Sequence, residues 1–172
     1  MRANHWFGDG GRGVELVIEP HRGIGPIRFG MDRVMVRDEM ERLGEGRPRP
    51  RGEETDCYFG AAFQVSFGDE GLADFIELAS SIEAEVWFEG LDVFDTPADE
   101  LLAAVGRLDQ PAPELSRPPQ SYIFPGLILT LWGRDKQYDH RRGRSRPMFG
   151  AVGVGAPSYL AVIRTIRSGR GG

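Results

Sequence analysis

The sequence predicts an α+β domain, with two tandem strand–helix–hairpin repeats forming one mainly antiparallel sheet and two helices on one face. Three observations carry this expectation. Two amphipathic helical stretches each follow a short alternating strand. Glycine and proline, 24 and 12 of 172 residues, favour many turns and short strands over long helices. The halves can also be laid on one another. Glu15-Leu-Val-Ile-Glu19 matches Glu85-Val-Trp-Phe-Glu89 at an offset of 70, while Phe29 matches Phe94, and Val65 to Phe67 match Thr130 to Trp132, at 65. One half has too little surface to bury alone, whereas two side by side make a continuous sheet. The first repeat is placed at about 14–82 and the second at about 83–167. All of 1–172 is read as one domain, with 1–13 and 168–172 expected to be flexible.

Val14 to Glu19 alternates apolar and charged residues and reads as a strand stopped by Pro20. His21 to Pro26 is turn-rich, and Ile27 to Phe29 is a short extended piece. Asp32 can accept the free amide hydrogens of a first helical turn, so Arg33 to Leu43 reads as a helix. Val36, Met40 and Leu43 share its apolar face, and Gly44 ends it. Glu45 to Glu54 is a proline-broken loop. Phe59, Ala61, Phe63, Val65 and Phe67 alternate along one strand face. Gly68-Asp-Glu-Gly71 supplies hairpin chemistry, and Leu72 to Leu78 returns as the partner strand.

Ala84 to Glu89 opens the second half as a strand, followed by an extended Leu91 to Phe94. Thr96 is expected to cap the next helix, with Pro97 at its first position and Asp99 completing a capping box. Leu101, Val105 and Leu108 give the apolar stripe. Asp109 to Pro119 is loop. Ser121 to Trp132 is a strand pair, or one strand bent at Pro125-Gly126. Phe149 to Val154 reads as a strand, and Tyr159 to Ile166 as a last strand. The expected core is Leu16, Ile18, Val36, Met40, Phe63, Val65, Phe67, Ile76, Val86, Phe88, Leu101, Val105, Leu129 and Leu131. Each should contribute ~1.5–3 kcal/mol on burial.

Hydrophobic residues make up 40% of the chain and charged residues 27%, enough apolar surface for a core without staples. The only cysteine is Cys57, so no intrachain disulfide can form. The N-terminus shows no apolar leader and no run approaches a membrane span, so the expectation is cytoplasmic with no membrane association. The net charge of -5 opposes nucleic-acid binding in bulk, but it is unevenly spread. Gly133 to Pro147 holds six basic and two acidic residues, a net +4, leaving -9 for the rest. This long basic segment is expected to be a solvated connection, with contact to nucleic acid or to an acidic protein as the alternatives.

Familiar chemistries lack their parts. His5, His21 and His140 are scattered in loops and give no zinc or Cys/His spacing with Cys57. There is no nucleophile elbow and no phosphate-binding P-loop. Gly23-Ile-Gly25-Pro-Ile-Arg28 follows a strand and precedes a helix, as a dinucleotide loop would. Arg28 stands where the third glycine belongs, however, and Pro26 removes an amide hydrogen, so the segment reads as a turn. Glu83, Glu85, Glu89, Asp92, Asp95, Asp99 and Glu100 crowd the second half. They read as a solvated strand face and helix-start acids, as an acidic surface for a basic partner, or as a hidden acid pair.

Gly25-Pro-Ile-Arg-Phe-Gly-Met31, followed by a helix carrying Val34 and Val36, resembles the opening of small bacterial tandem-repeat domains. The family shares the fold of β-lactamase inhibitor protein and the SmpA/OmlA-like lipoproteins. Phe63 to Leu78 and Glu85 to Leu102 are similar to cytosolic members that include polymorphic-toxin immunity proteins. The resemblance covers most of 14–155. It implies a non-enzymatic protein-binding module without cofactor or metal, an inhibitor or immunity protein whose partner is a toxin domain. The lipobox of the lipoproteins and the disulfides of the secreted inhibitor are missing. No functional residue transfers, because that fold binds through a whole sheet surface. The partner-binding candidates are therefore chosen by residue type: Glu85, Trp87, Glu89, Asp92, Trp132, Arg141, Arg142 and Arg144. Two other readings stay open. One is a small-molecule carrier or enzyme with a pocket between helices and sheet near Trp87 and Trp132. The other is nucleic-acid contact through 133–147.

Overall fold

The computed structural model describes residues 14–139 and 143–168. In chain order the strands and helices are β1 (Val14–Glu19), β2 (Gly23–Ile24), β3 (Ile27–Arg28), α1 (Arg33–Arg42), β4 (Arg49–Arg51), β5 (Thr55–Tyr58), β6 (Phe63–Phe67), β7 (Ala73–Ala79), β8 (Ala84–Phe88) and β9 (Leu91–Asp92). They continue as α2 (Ala98–Gly106), β10 (Ser121–Phe124), β11 (Leu129–Trp132), β12 (Asp135–Asp139), β13 (Arg144–Met148), β14 (Ala151–Gly155) and α3 (Tyr159–Ser168). The fold is α+β with mostly antiparallel pairing.

The expected single sheet is instead two, plus a ribbon. One has the order β3-β2-β1-β8-β9, the other β10-β11-β14-β7-β6-β5-β4, and β12 pairs with β13 alone. The physical reason lies at β7. Both its edges are occupied, by β6 and β14, so β8 has no free edge beside it and pairs instead with β1. That pairing is parallel, with Glu15 opposite Glu85 and Val17 opposite Trp87. The sequence offset of 70 is therefore the strand register.

Alternation decides what each sheet buries. Phe63, Val65 and Phe67 point into the core from β6, with Ile76 and Leu78 beside them on β7 and Val152 and Val154 on β14. Leu16, Ile18, Val86 and Phe88 of the small sheet join the same cluster, as do Val36 and Met40 of α1 and Leu101 and Val105 of α2. All fourteen residues expected in the core are buried. Gly153 is required by close approach: a Cβ there would stand 2.4 Å from Phe75 Cζ and 2.8 Å from Thr130 Oγ1.

The helix ends differ. Asp32 accepts from the Met35 amide, as expected of an N-cap. At the other end Glu45 N–H donates to Met40 O and Gly44 N–H to Glu41 O, with Gly44 at φ 99, a Schellman motif. The expected Thr96 cap is not formed. The α2 helix starts one residue later, with Pro97 at its N-cap and no side-chain hydrogen bond there, while Thr96 is buried. Leu108 is exposed because α2 ends at Gly106 and leaves it beyond the last turn.

Four further expectations are corrected. Phe59 and Ala61 do not lie on the β6 face; they sit in a 3-10 turn, both at positive φ, that precedes the strand. The 133–147 segment is not a loop: β12 and β13 pair from Asp135↔Met148 to Asp139↔Arg144. Its base is held down by Arg146, whose side chain is nearly buried and ion-paired with Asp99 and Glu100 at the start of α2. Tyr159 to Ile166 lies in a helix rather than a strand. Tyr159, Leu160 and Ile163 form an apolar stripe of helical spacing against Ile123 and Ile128, which overrides the β-branched composition. Finally, the large sheet does not leave a whole face open. The α3 helix covers its β10–β11–β14 end, with Tyr159 stacked on Phe75 at 4.3 Å.

Candidate functional site

The outward face of the small sheet gathers several of the expected partner-binding residues. Val86 and Phe88 point inward from β8, so Glu85 and Trp87 point outward. On β1, Leu16 and Ile18 point inward and Glu15 and Val17 outward. The parallel register then sets carboxylate beside carboxylate and Val17 beside Trp87. Val17 is 49% exposed. Neither Glu15 nor Glu85 forms an ion pair among the described residues, whereas Glu19, at the end of the same strand, is bonded to Arg28 at 2.7 Å and lies 3.6 Å from Arg22.

Glu89 and Gly90 form the two-residue β8–β9 turn, at φ 50 and φ 78, so Glu89 stands exposed at its tip. Asp92 lies opposite Trp87, and its Oδ1 accepts from the Phe94 and Asp95 amides at 3.0 and 3.2 Å. Its carboxylate thus has a local turn-forming role as well as a surface position. Trp132 is elsewhere. It occupies the outward face of the large sheet, beside Ser121 and Ala151, since Leu129 and Leu131 take the inward positions of β11. Trp87 and Trp132 stand on different sheets. Arg144 is exposed at the far end of the ribbon, and Arg141 and Arg142 lie outside the described residues.

Two aspartates of the large sheet define its electrostatics. Asp56, fully buried on β5, is held by α1: Arg33 Nη1 lies 2.5 Å from Oδ1 and Arg37 Nη2 3.5 Å from Oδ2. Arg33 also donates to the Glu53 carbonyl and lies 4.4 Å above the Phe67 ring. The Arg37 contact is an ion pair without hydrogen-bond alignment. Burial, together with Asp56, pushes the neighbouring Tyr58 phenol up to about 12.

Asp74 on β7 has the opposite surroundings. Burial, opposed in part by a hydrogen bond from its own backbone and aided by Glu54 and Asp69, pushes it up to about 6 from an ordinary value of 3.8. It lines a groove of about 380 Å³ between the β6–β7 turn, Gly30 and the start of α3. Sequence reasoning missed this groove. Its only local signal was Leu72, an apolar residue directly after a hairpin turn. Cys57 is buried, with Sγ 3.6 Å from Gln64 Oε1, and burial raises its thiol pKa. Among the described residues no cluster of histidine, cysteine and carboxylate side chains could hold a metal. No helix among them is long and apolar enough to cross a membrane. No family model, curated protein or solved structure matches the chain.

Proposed function

We propose that this chain is a non-enzymatic protein-binding module, an inhibitor or immunity protein that blocks a basic toxin domain through the outward face of its small sheet. The observation that carries the reading is the Glu15–Glu85 pair, set side by side with no cation on either among the described residues. Like charges opposite one another across strands destabilise a sheet. Selection for stability alone would remove one of them, whereas a basic partner relieves the repulsion on binding. Val17 and Trp87 lie next along the same strands. They offer an apolar and aromatic anchor inside a charged rim, the arrangement that concentrates binding energy at protein interfaces.

The reading includes the two-repeat architecture and a cytoplasmic encounter. Supporting the repeat are the β1–β8 register at an offset of 70 and the placement of β5-β6-β7 and β10-β11-β14 on either side of the central β7–β14 pair. The third helix and the β12–β13 ribbon have no counterparts in the first half.

Co-expression with a toxin domain encoded beside this chain tests the proposal. Intact protein should restore growth and co-purify with the toxin. Glu85→Lys should slow association at least tenfold and flatten its salt dependence. Trp87→Ala should mainly speed dissociation. An absence of both rescue and co-purification would sink the reading.

A further inference from the structure

Leu72 and Val162 are far apart in sequence and belong to different elements, yet both line the groove beside Asp74. They are 37% and 40% exposed, among the most exposed large aliphatic side chains described. Ala73 and Ala156 extend the apolar wall. The charged groups lining it are all acidic: Asp69, Glu70 and Asp74. None of the three is ion-paired among the described residues. The same negative field extends to Tyr159, whose phenol is pushed up to about 12 by burial and then by Asp74, Glu77 and Glu54.

The chemistry of an occupant follows from these walls. An anion would meet three carboxylates. A purely apolar group would desolvate them, Asp74 above all, without compensation. A long basic side chain satisfies both parts, because its methylene stem packs on aliphatic surface while its head stays polar.

We propose that this groove receives a lysine or arginine side chain from the protein partner, with the stem against Leu72 and Val162 and the cation between Asp69, Glu70 and Asp74. The inference rests on the protein-binding reading and adds a second contact, independent of the Glu85–Trp87 face.

Amide chemical shifts of the full chain, titrated with N-acetyl-lysine-methylamide, N-acetyl-arginine-methylamide and N-acetyl-norleucine-methylamide, test the groove. The lysine or arginine probe should give saturable shifts at Leu72, Asp74, Ser158 and Val162. The affinity should fall at least tenfold in Asp74→Asn, and the norleucine probe should be inert. An equal response to norleucine, shifts spread evenly over Glu15 and Glu85, or no saturation would each overturn the inference. The two proposals fail separately. Loss of groove titration with toxin rescue intact removes only the groove, and groove titration without any toxin rescue or co-purification removes the protein-borne source.

Discussion

Asp56 and Asp74 sit in the same sheet, yet one is anchored and the other stranded. Asp56 is wholly buried and meets two guanidiniums from α1, one of them also stacked on Phe67. Asp74 is partly buried among other carboxylates, with no ion pair among the described residues. The first arrangement ties α1 to the sheet. The second stores an electrostatic cost beside an open groove. A buried charge is tolerated when its partners arrive with the fold, and an uncompensated one marks a place where stability has been given up. Glu15 and Glu85 repeat the second pattern in milder form, because water screens them.

Three substitutions sharpen the contrast. Asp56→Ala should have the largest effect, lowering stability by about 2–3 kcal/mol. This is below the full penalty for an orphaned buried charge, because Arg33 and Arg37 can still reach solvent. The urea midpoint should fall at an unchanged m value; a midpoint equal to that of the intact chain would contradict the anchoring role.

Asp74→Asn should act in the opposite direction. The folded carboxyl titrates near 6, above its ordinary 3.8, so folding holds its proton more tightly than the unfolded chain does. The folded state is therefore penalised in full above pH 6, and the penalty fades as pH falls toward 4. After allowance for solvent screening, the variant should be more stable by about 1 kcal/mol at pH 8 and no more stable at pH 3.5. Thermal unfolding across that range checks both ends, and a gain independent of pH would point to packing instead. Glu85→Gln should have the smallest effect, a rise of about 0.3 kcal/mol from relief of the cross-strand repulsion, together with weaker partner binding. A loss of stability there would mean that Glu85 has a cation the proposed surface lacks.

Much of the fold was legible because its signals are local. The Asp32 cap, the Gly44 stop, the Gly68–Gly71 turn and the alternation of β6 all depend on neighbours within a few residues, and they stand where the sequence places them. The misreadings came where local preference lost to distant packing. Tyr159 to Ile166 carries strand-forming residues, but a covered sheet face at Ile123 and Ile128 selects the helical stripe. The basic 133–147 segment looks solvated, but backbone pairing and the Arg146 anchor on α2 order its described part. The Glu85–Trp87 surface could be guessed by residue type, and the offset of 70 already aligned it with Glu15 and Val17. Nothing local could reveal that Leu72, Asp74 and Val162 meet.

By itself, then, the sequence determined fourteen of the buried apolar side chains, where most turns fall, and that helices and mainly antiparallel strands pack together. These follow from periodicity and turn chemistry, which act over short distances. Only the tertiary structure decided that the strands divide into two sheets and a ribbon, that a third helix covers the β10–β11–β14 end of the large sheet, and that acids with no ion pair among the described residues line a groove. Each of those outcomes depends on which strand edge is already occupied and which residues from distant segments become neighbours, and neither is encoded in any single stretch of chain.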